Sequence, residues 1–282
     1  MKMSRFFSVL LAAMIGALPL CAAEAAPEQP AEKAPAKAAE AKTNKKAAQK
    51  PAKKAASKKP AKVLTLPEAM KDATTPARAK RHIQRLAIKK AEAAANKDKI
   101  KILMLGDSIT HQWEYPDAAE VQKKYIAPYP VLNLGCGGDR TQHTIWIVEK
   151  SGILDLIKPQ LVTLMIGTNN RVDYRATAAG IKRILDSVRQ RYPEAKILLY
   201  AIFPRGKNNA DARRKINEKV NAEIVKFCDN KNIIWVDIRK NFLTPEGVLE
   251  ESMMPDYLHP RHTKGYTVWG ESLRPYFEKY GK

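Results

Sequence analysis

Five short apolar runs recur between residues 100 and 238, and each is rich in Ile, Leu and Val. They occupy residues 100–105, 131–134, 161–166, 197–203 and 233–238. Because successive positions are apolar, with little alternation of polar residues, each run predicts a strand that is buried on both faces. Strands of this kind belong to parallel sheets that helices cover on both sides.

Amphipathic stretches with helical periodicity alternate with these runs. They lie at residues 118–125, 141–149, 176–191, 211–229 and 263–280, and a lead-in helix is predicted ahead of the first strand, at residues 76–96. The alternation predicts an α/β fold, a flavodoxin-like doubly wound sheet of about five parallel strands with helices on both faces. Ligands bind such sheets at the carboxyl ends of the strands, so the residues that follow each run are the candidates for chemistry.

The amino-terminal end of the chain has the layout of a secretory signal peptide. Lys2 and Arg5 precede an apolar run at residues 6–20, and small residues follow it. This pattern predicts a signal peptide over residues 1–23 and export to the periplasm or the medium. The run is shorter than the roughly 20 apolar residues of a membrane-spanning helix. Cys21 leaves one alternative open, a lipoprotein anchored through that residue.

A segment of Ala, Lys and Pro follows the leader. Residues 24–62 contain 11 Lys and 4 Glu, but no aromatic residue and no Val, Ile, Leu or Met. Such a segment cannot bury enough apolar surface to offset the loss of chain entropy, which predicts a disordered linker. Two interpretations are open, a tether that rests on anionic cell-envelope polymers and a solubilising spacer. One folded domain is then expected over residues 63–282.

The formal net charge of +21 suggests an anionic partner such as a nucleic acid. Part of this excess lies in the leader and the linker, and acidic residues are interleaved with basic ones in the rest of the chain. Nucleic-acid binding is therefore not expected. Cys21, Cys136 and Cys228 lack the spacing of a metal site or a disulfide framework, so neither a metal nor another cofactor is expected.

Four short segments stand where predicted strands end or where the last helix begins. They are Gly106-Asp107-Ser108-Ile109, residues 133–139, Gly167-Thr168-Asn169-Asn170 and Asp256-Tyr257-Leu258-His259. Each segment alone also fits a blander role, as a helix cap, a tight turn or a surface pair. In a doubly wound sheet, however, all four meet at one edge.

The residue types in these segments suit nucleophilic catalysis. The hydroxyl of Ser108 is a weak nucleophile until a base takes its proton, and His259 supplies an imidazole, a group that titrates near neutral pH. Asp256 lies three residues before His259, and a single turn at that spacing sets a carboxylate against the ring. An oxyanion needs preorganised donors, which the main-chain N–H groups of Ser108 and Gly138 and the amide of Asn169 can provide.

These segments resemble the four sequence blocks of the SGNH (GDSL-type) hydrolases, and the resemblance covers residues 76–282. Residues 135–143, 166–170 and 204–206 are similar, more narrowly, to the catalytic subunits of intracellular platelet-activating factor acetylhydrolase and their bacterial relatives. The resemblance implies a triad of Ser108, Asp256 and His259. It also implies that Ser108, Gly138 and Asn169 donate to the oxyanion.

The same resemblance implies a small apolar pocket that admits an acetyl group, with Ile109, Thr168 and Leu258 at its wall. Trp113 is a further candidate, because a Trp near a site can stack on a sugar. The predicted leader and linker separate this chain from the animal enzymes, which puts the lipid substrate and the intracellular partners of those enzymes in question here.

We therefore expect an exported serine esterase that removes short acyl groups, acetyl above all, through an acyl-enzyme. Its expected substrate is a small ester or an acylated glycan, either a carbohydrate ester or another extracytoplasmic ester. Two alternatives remain at this point. One is a lipid or phospholipid acylhydrolase of the same mechanism, and the other is a non-enzymatic envelope-binding protein.

Overall fold

A computed structural model describes residues 63–282, so the predicted signal peptide, the Cys21 lipoprotein alternative and the linker lie outside the described residues. Within that range five strands form one sheet, which agrees with the predicted number. The strands are β1 (Ile102–Gly106), β2 (Val131–Asn133), β3 (Leu161–Met165), β4 (Lys196–Tyr200) and β5 (Ile233–Val236).

All neighbouring strands are parallel, in the order β2-β1-β3-β4-β5. This order reverses the direction of winding at β1, so the predicted doubly wound α/β fold is confirmed. Gly106 of β1 pairs with Met165 of β3, and Met104 pairs with Asn133 of β2. The carboxyl ends of β2, β1 and β3 therefore lie side by side, and the polar segments that follow them meet at one edge of the sheet.

Helices cover both faces of the sheet. The α-helices are α1 (Leu66–Thr74), α2 (Ile83–Ala95), α3 (Ser108–His111), α4 (Ala119–Tyr125), α5 (Thr141–Lys150), α6 (Tyr174–Arg191), α7 (Ala212–Ile224) and α8 (Lys264–Tyr280). Short 3-10 helices span Lys80–His82, Gln112–Glu114, Pro116–Ala118, Leu154–Leu156, Val225–Phe227 and Arg239–Phe242. In the described part of the chain, no helix has the length and the apolar run that crossing a bilayer requires.

The alternation of side chains along β1 divides the core in two. Leu103 and Leu105 point into a cluster with α5, α6 and α7. Ile102 and Met104 point into a second cluster with α4 and α8 that includes Trp269. Every β1 position is buried, which is why the sequence shows a continuous apolar run there instead of an alternating one.

The segment before β1 differs from the single lead-in helix predicted at residues 76–96. Helix α2 begins only at Ile83, after a 3-10 turn, and a separate helix α1 precedes it. Thr65 caps α1 through a reciprocal capping box with Glu68, and Pro67 occupies its first turn. This Thr-x-x-Glu pattern is a helix-start signal that the sequence carries and that the prediction missed.

Candidate active site

Ser108 stands at the first position of α3, just beyond the carboxyl end of β1. Asp107 caps this short helix, because its Oδ1 accepts the N–H of Ile109 at 3.0 Å. The Asp107 side chain is buried, and burial raises the pKa of its carboxyl to about 7. The turn from strand to helix thus leaves the Ser108 hydroxyl at the edge of the sheet while Asp107 anchors the backbone below it.

Ser108, His259 and Asp256 form a continuous chain of hydrogen bonds. The Oγ of Ser108 lies 2.8 Å from Nε2 of His259. Nδ1 of the same ring lies 2.6 Å from Oδ2 of Asp256. A carboxylate at Nδ1 accepts a hydrogen from that nitrogen, which leaves Nε2 as the acceptor that faces the serine hydroxyl.

The turn that carries Asp256 and His259 is held by the same carboxylate. Oδ1 of Asp256 accepts the main-chain N–H of Leu258 at 3.1 Å and that of His259 at 2.8 Å. Partial burial works to raise the pKa of Asp256, but the hydrogen bonds from His259 and Leu258 outweigh it and hold the pKa below its usual range. One oxygen therefore fixes the turn while the other orients the imidazole.

Two contacts from distant segments hold this turn and α3 in place. The N–H of Gly206 donates to the carbonyl of Tyr257 at 2.8 Å, which ties the turn to the loop after β4. The hydroxyl of Tyr266, on α8, donates to the carbonyl of Ile109 at 2.5 Å. The second bond links the helix that follows His259 to the helix that begins with Ser108.

The loop after β2, residues 135–139, is called here the glycine loop. Its central turn is closed by the N–H of Asp139, which donates to the carbonyl of Cys136 at 3.1 Å. Gly138 occupies this turn with φ of +72°, a conformation that residues with a Cβ rarely adopt. The N–H of Cys136 donates to the carbonyl of Gly106 at 3.2 Å, so the loop is bonded to the end of β1, two residues before Ser108.

Asn169 and Asn170 are neighbours in the sequence with different hydrogen-bond partners. Nδ2 of Asn169 donates to the carbonyl of Asp139 at 3.0 Å, which joins the loop after β3 to the glycine loop. An amide nitrogen carries two hydrogens, so a second donor remains at Asn169. Asn170 is buried and holds the start of α5, accepting the N–H of Thr141 at 3.1 Å and donating to its Oγ1 at 2.8 Å.

Three side chains before β1 bind the glycine loop, and the prediction from sequence missed them. They are Arg81, His82 and Arg85, called here the lead-in triplet. They make hydrogen bonds of 2.8–3.1 Å with main-chain carbonyls of residues 133, 135, 137 and 138. The separations along the chain are 48 to 57 residues, and no local pattern signals contacts of that range.

The three predicted substrate residues, Ile109, Thr168 and Leu258, differ in their surroundings. Ile109 and Leu258 belong to the same apolar cluster, and Ile109 is fully buried. The Oγ1 of Thr168 accepts hydrogen bonds of 3.1 Å from Nη1 of Arg205 and from Nδ2 of Asn217. Thr168 also lines a cleft of about 310 Å³, whose other walls are Asn170, Arg171, Val172, Arg213, Ile216 and Asn217.

Trp113 does not face a cleft, which corrects its prediction as a stacking platform for a sugar. Its side chain is fully buried and packs edge-on against Tyr266, with the ring centroids 4.6 Å apart. Trp269 lies next to it in the same cluster. The sequence shows only that Trp113 lies shortly after Ser108, and this does not distinguish a buried Trp from an exposed one.

His82, Cys136 and Asp139 bring their donor atoms within 4.8 Å of one another, a spacing short enough for one metal ion to bridge. Their hydrogen bonds favour another use. Nε2 of His82 lies 2.8 Å from the carbonyl of Gly137 and 3.2 Å from Oδ1 of Asp139, so this nitrogen carries a hydrogen. Burial raises the pKa of Cys136 to about 12, and the Arg81 guanidinium already lies 3.3 Å from the Asp139 carboxylate.

Comparison with known proteins identifies relatives of this chain. Residues 104–267 match the GDSL-like lipase/acylhydrolase family. The alpha1 subunit of platelet-activating factor acetylhydrolase IB from Homo sapiens is 32% identical over 179 residues, which cover 62% of this chain and 74% of the subunit. The alpha2 subunit from Rattus norvegicus is 34% identical over 161 residues, or 56% of this chain and 68% of that subunit.

A solved structure shares the fold. A GDSL-like lipase from Bacteroides thetaiotaomicron superposes with a TM-score of 0.55 at 18% identity, over 70% of this chain and 97% of the lipase. The family match begins in β1 and ends in α8, so it includes all four segments singled out in the sequence. The 3-10 helix that carries Arg81 and His82 and the helix α2 that carries Arg85 lie before the matched range.

Proposed function

This chain belongs to the GDSL-like lipase/acylhydrolase family and is a carboxylic ester hydrolase, and we propose that it is an exported esterase that removes acetyl groups from a carbohydrate or another extracytoplasmic ester. One observation carries the assignment of roles. It is the unbroken chain of hydrogen bonds from the Ser108 hydroxyl through His259 to Asp256. We propose Ser108 as the nucleophile, His259 as the general base and Asp256 as the group that orients the imidazole.

In the first half of the proposed reaction, the Oγ of Ser108 attacks the ester carbonyl while Nε2 of His259 takes the hydroxyl proton. The carbonyl oxygen becomes an oxyanion, which accepts hydrogen bonds from the N–H groups of Ser108 and Gly138 and from the free amide hydrogen of Asn169. The tetrahedral intermediate collapses as His259 protonates the leaving alcohol. The acyl group is then bonded to Ser108, and the alcohol departs.

In the second half, His259 takes a proton from a water molecule, and the water oxygen attacks the acyl carbonyl. The same three donors stabilise the second oxyanion. Collapse breaks the bond to the Oγ of Ser108, which recovers its proton from His259, and the carboxylic acid is released. Asp256 stays ionised throughout, because the hydrogen bonds that lower its pKa favour its charged form.

An acetyl group is the proposed acyl part for two reasons. Relatives that are 32–34% identical are named as acetylhydrolases. Ile109 and Leu258 come from the two segments that carry Ser108 and His259, and both side chains pack in one apolar cluster. As apolar sequence neighbours of the nucleophile and the base, they are the proposed wall of a pocket that takes a short acyl chain.

A carbohydrate is proposed for the alcohol part because of the cleft at Thr168. Five of its seven lining residues carry polar side chains, and the guanidinium groups of Arg171 and Arg213 can bond hydroxyl groups. A lipid would instead need a broad apolar surface there. Among the residues the structure describes, the strongly exposed large apolar side chains are scattered over several elements, and Ile216 is the one that lines this cleft.

The localisation rests on the sequence of residues 1–62. A signal peptide at 1–23 would carry the enzyme out of the cytoplasm, and the basic linker would contact anionic polymers of the cell envelope. Cell fractionation with an antibody against residues 63–282 tests export, and mass spectrometry of the exported protein locates the cleavage site. Recovery of the full-length chain in the cytoplasm would contradict this part of the proposal.

The substrate proposal is tested by measuring acetate release from acetylated sugars, acetylated glycans and platelet-activating factor, with Ser108→Ala as the control. The expected result is a higher kcat/KM for at least one acetylated carbohydrate than for the lipid. Preference for platelet-activating factor would favour the lipid alternative, which the names of the relatives support. A rate that rises from acetyl to octanoyl p-nitrophenyl esters would contradict the short acyl pocket.

A further inference from the structure

The lead-in triplet lines one side of the glycine loop with hydrogen-bond donors. Nε of Arg81 donates to the carbonyl of Gly137 at 3.1 Å, and Nη2 donates to the carbonyl of Gly138 at 2.8 Å. Nε of Arg85 donates to the carbonyl of Gly135 at 2.8 Å. Because these three carbonyls belong to one short loop, the triplet fixes the orientation of its peptide planes.

The carbonyl of Gly137 is the most informative of these acceptors. It receives Nε of Arg81 at 3.1 Å and Nε2 of His82 at 2.8 Å. This carbonyl and the N–H of Gly138 belong to one planar trans peptide unit, so they point in opposite directions. Two donors that hold the carbonyl toward the lead-in residues therefore turn the N–H of Gly138 to the opposite side of the loop.

The charge on Arg81 adds to this orientation. A cation at the carbonyl polarises the peptide unit and makes its N–H a stronger donor, since hydrogen bonds in a chain reinforce one another. Nη2 of Arg81 also lies 3.3 Å from Oδ1 of Asp139, the residue whose carbonyl accepts Asn169. The same guanidinium thus contacts the peptide of one proposed oxyanion donor and the residue that holds the other.

We propose that Arg81 and His82 are positioning residues for ester hydrolysis, which aim the Gly138 N–H at the oxyanion through the Gly137 carbonyl. This inference rests on the proposed role of Gly138. It extends the functional part of the chain to a segment before the matched residues 104–267. The Arg81 side chain is half exposed, so truncating it removes little core packing, and its effect on catalysis can be separated from unfolding.

The test compares Arg81→Ala with Arg78→Ala. Arg78 precedes the same 3-10 turn, but its guanidinium stacks on Trp146, 5.2 Å from the ring centroid. Turnover of p-nitrophenyl acetate gives kcat and KM, and methylboronic acid reports on the oxyanion site, because its tetrahedral serine adduct places an oxygen there. For Arg81→Ala we expect kcat to fall about tenfold, less than the hundredfold or more for loss of a whole donor.

Further results are expected for KM and ligand affinity, for the control variant and for chemical rescue. The KM of Arg81→Ala stays within about twofold of wild type, and the Kd of methylboronic acid rises by the same factor as kcat falls, because both depend on the oxyanion donors. Arg78→Ala keeps wild-type values. Added guanidinium at non-denaturing concentration restores part of the kcat of Arg81→Ala, whereas Arg81→Lys recovers little, since an ammonium cannot bridge two carbonyls as a planar fork does.

Two results would overturn the proposal. One is a wild-type kcat for both Arg81→Ala and His82→Ala, and the other is a lower kcat with unchanged affinity for methylboronic acid. Ser108→Ala in the same assay separates this outcome from a failure of the proposed function. If Ser108→Ala is inactive while the lead-in variants behave as wild type, only the positioning role is wrong. If Ser108→Ala is fully active, the assigned nucleophile is wrong.

Discussion

The two sides of the candidate active site are held in different ways. On the proton-transfer side, Asp256 and His259 are three residues apart, and one carboxylate both closes their turn and orients the ring. On the oxyanion side, the glycine loop depends on Asn169 and on a lead-in triplet more than 45 residues away.

The side chains on the two sides also differ in their exposure to solvent. The Asp256 side chain is 54% exposed, whereas that of Asp139, at the end of the glycine loop, is 1% exposed. A local turn can stay at the surface because it satisfies its own hydrogen bonds. A loop with three glycines among its five residues has few side chains to define its conformation, so contacts from elsewhere in the fold must supply it. The proposed base is thus built by its own segment, whereas the proposed oxyanion site depends on the whole fold.

The largest effect is expected from removing the nucleophile. Ser108→Ala should lower kcat for p-nitrophenyl acetate by about 10⁴-fold or more, as for triad serines in general. The matched control is Ser252→Ala, since Ser252 is a surface serine that donates to Glu250. Its kcat should equal that of wild type. If Ser108→Ala were as active as Ser252→Ala, Ser108 would not be the nucleophile, and the proposed proton transfer to His259 would be wrong.

The next effect comes from the orientation of the imidazole. Asp256→Asn keeps an acceptor for the turn N–H groups but presents an N–H to Nδ1 of His259, which favours the wrong tautomer. A fall in kcat of about 10³- to 10⁴-fold is expected, with the Tm little changed. Steady-state kinetics and a thermal melt measure both quantities. A fall in Tm that accounts for the lost activity would mean that the carboxylate only closes the turn.

A neighbouring pair of asparagines tests the oxyanion side. Asn169→Ala should lower kcat by about 10²- to 10³-fold with little change in KM or Tm, because it removes a donor from the oxyanion. Asn170→Ala should lower the free energy of unfolding by about 1–3 kcal/mol, because Asn170 is buried and its two bonds to Thr141 are lost. The opposite result would contradict the geometry: a lower kcat for Asn170→Ala and a lower free energy of unfolding for Asn169→Ala.

The smallest expected effect concerns the stability of the fold, at the residue that supports the nucleophile. Burial raises the pKa of Asp107 from 3.8 to about 7, so the folded protein keeps a proton there that the unfolded chain releases. The retained proton stabilises the fold fully below the pKa of Asp107 in the unfolded chain, and this contribution is lost as the pH rises to about 7. The unfolding free energy of wild type minus that of Asp107→Asn should therefore fall between pH 4 and pH 7. Urea unfolding at several pH values measures this difference, and a flat or rising difference would contradict it.

The same contrast explains what the sequence could predict. The apolar runs of β1 and β3 predicted buried strands, because every position of these strands contacts a core on one face or the other. Asp256 and His259 could be found because their interaction is local. Ser108 and Asn169 could be found because residues at the carboxyl ends of parallel strands must meet.

Other features could not be read from the sequence alone. The bonds of Arg81 and His82 to the glycine loop connect segments that only the fold brings together. The predicted lead-in helix was too long because helical periodicity does not distinguish an α-helix from a 3-10 turn that leads into it. Trp113 was misjudged because burial is set by α8, which packs over it from the far end of the chain.

The central claim is that one hydroxyl, Ser108, is activated by His259. It is tested most directly by labelling the protein with a fluorophosphonate, a reagent that bonds to activated serines, and locating the adduct by peptide mass spectrometry. We predict one adduct, on Ser108, which forms at least about 10³-fold more slowly in His259→Ala. Labelling at another serine, or at Ser108 with the same rate in both proteins, would contradict the claim.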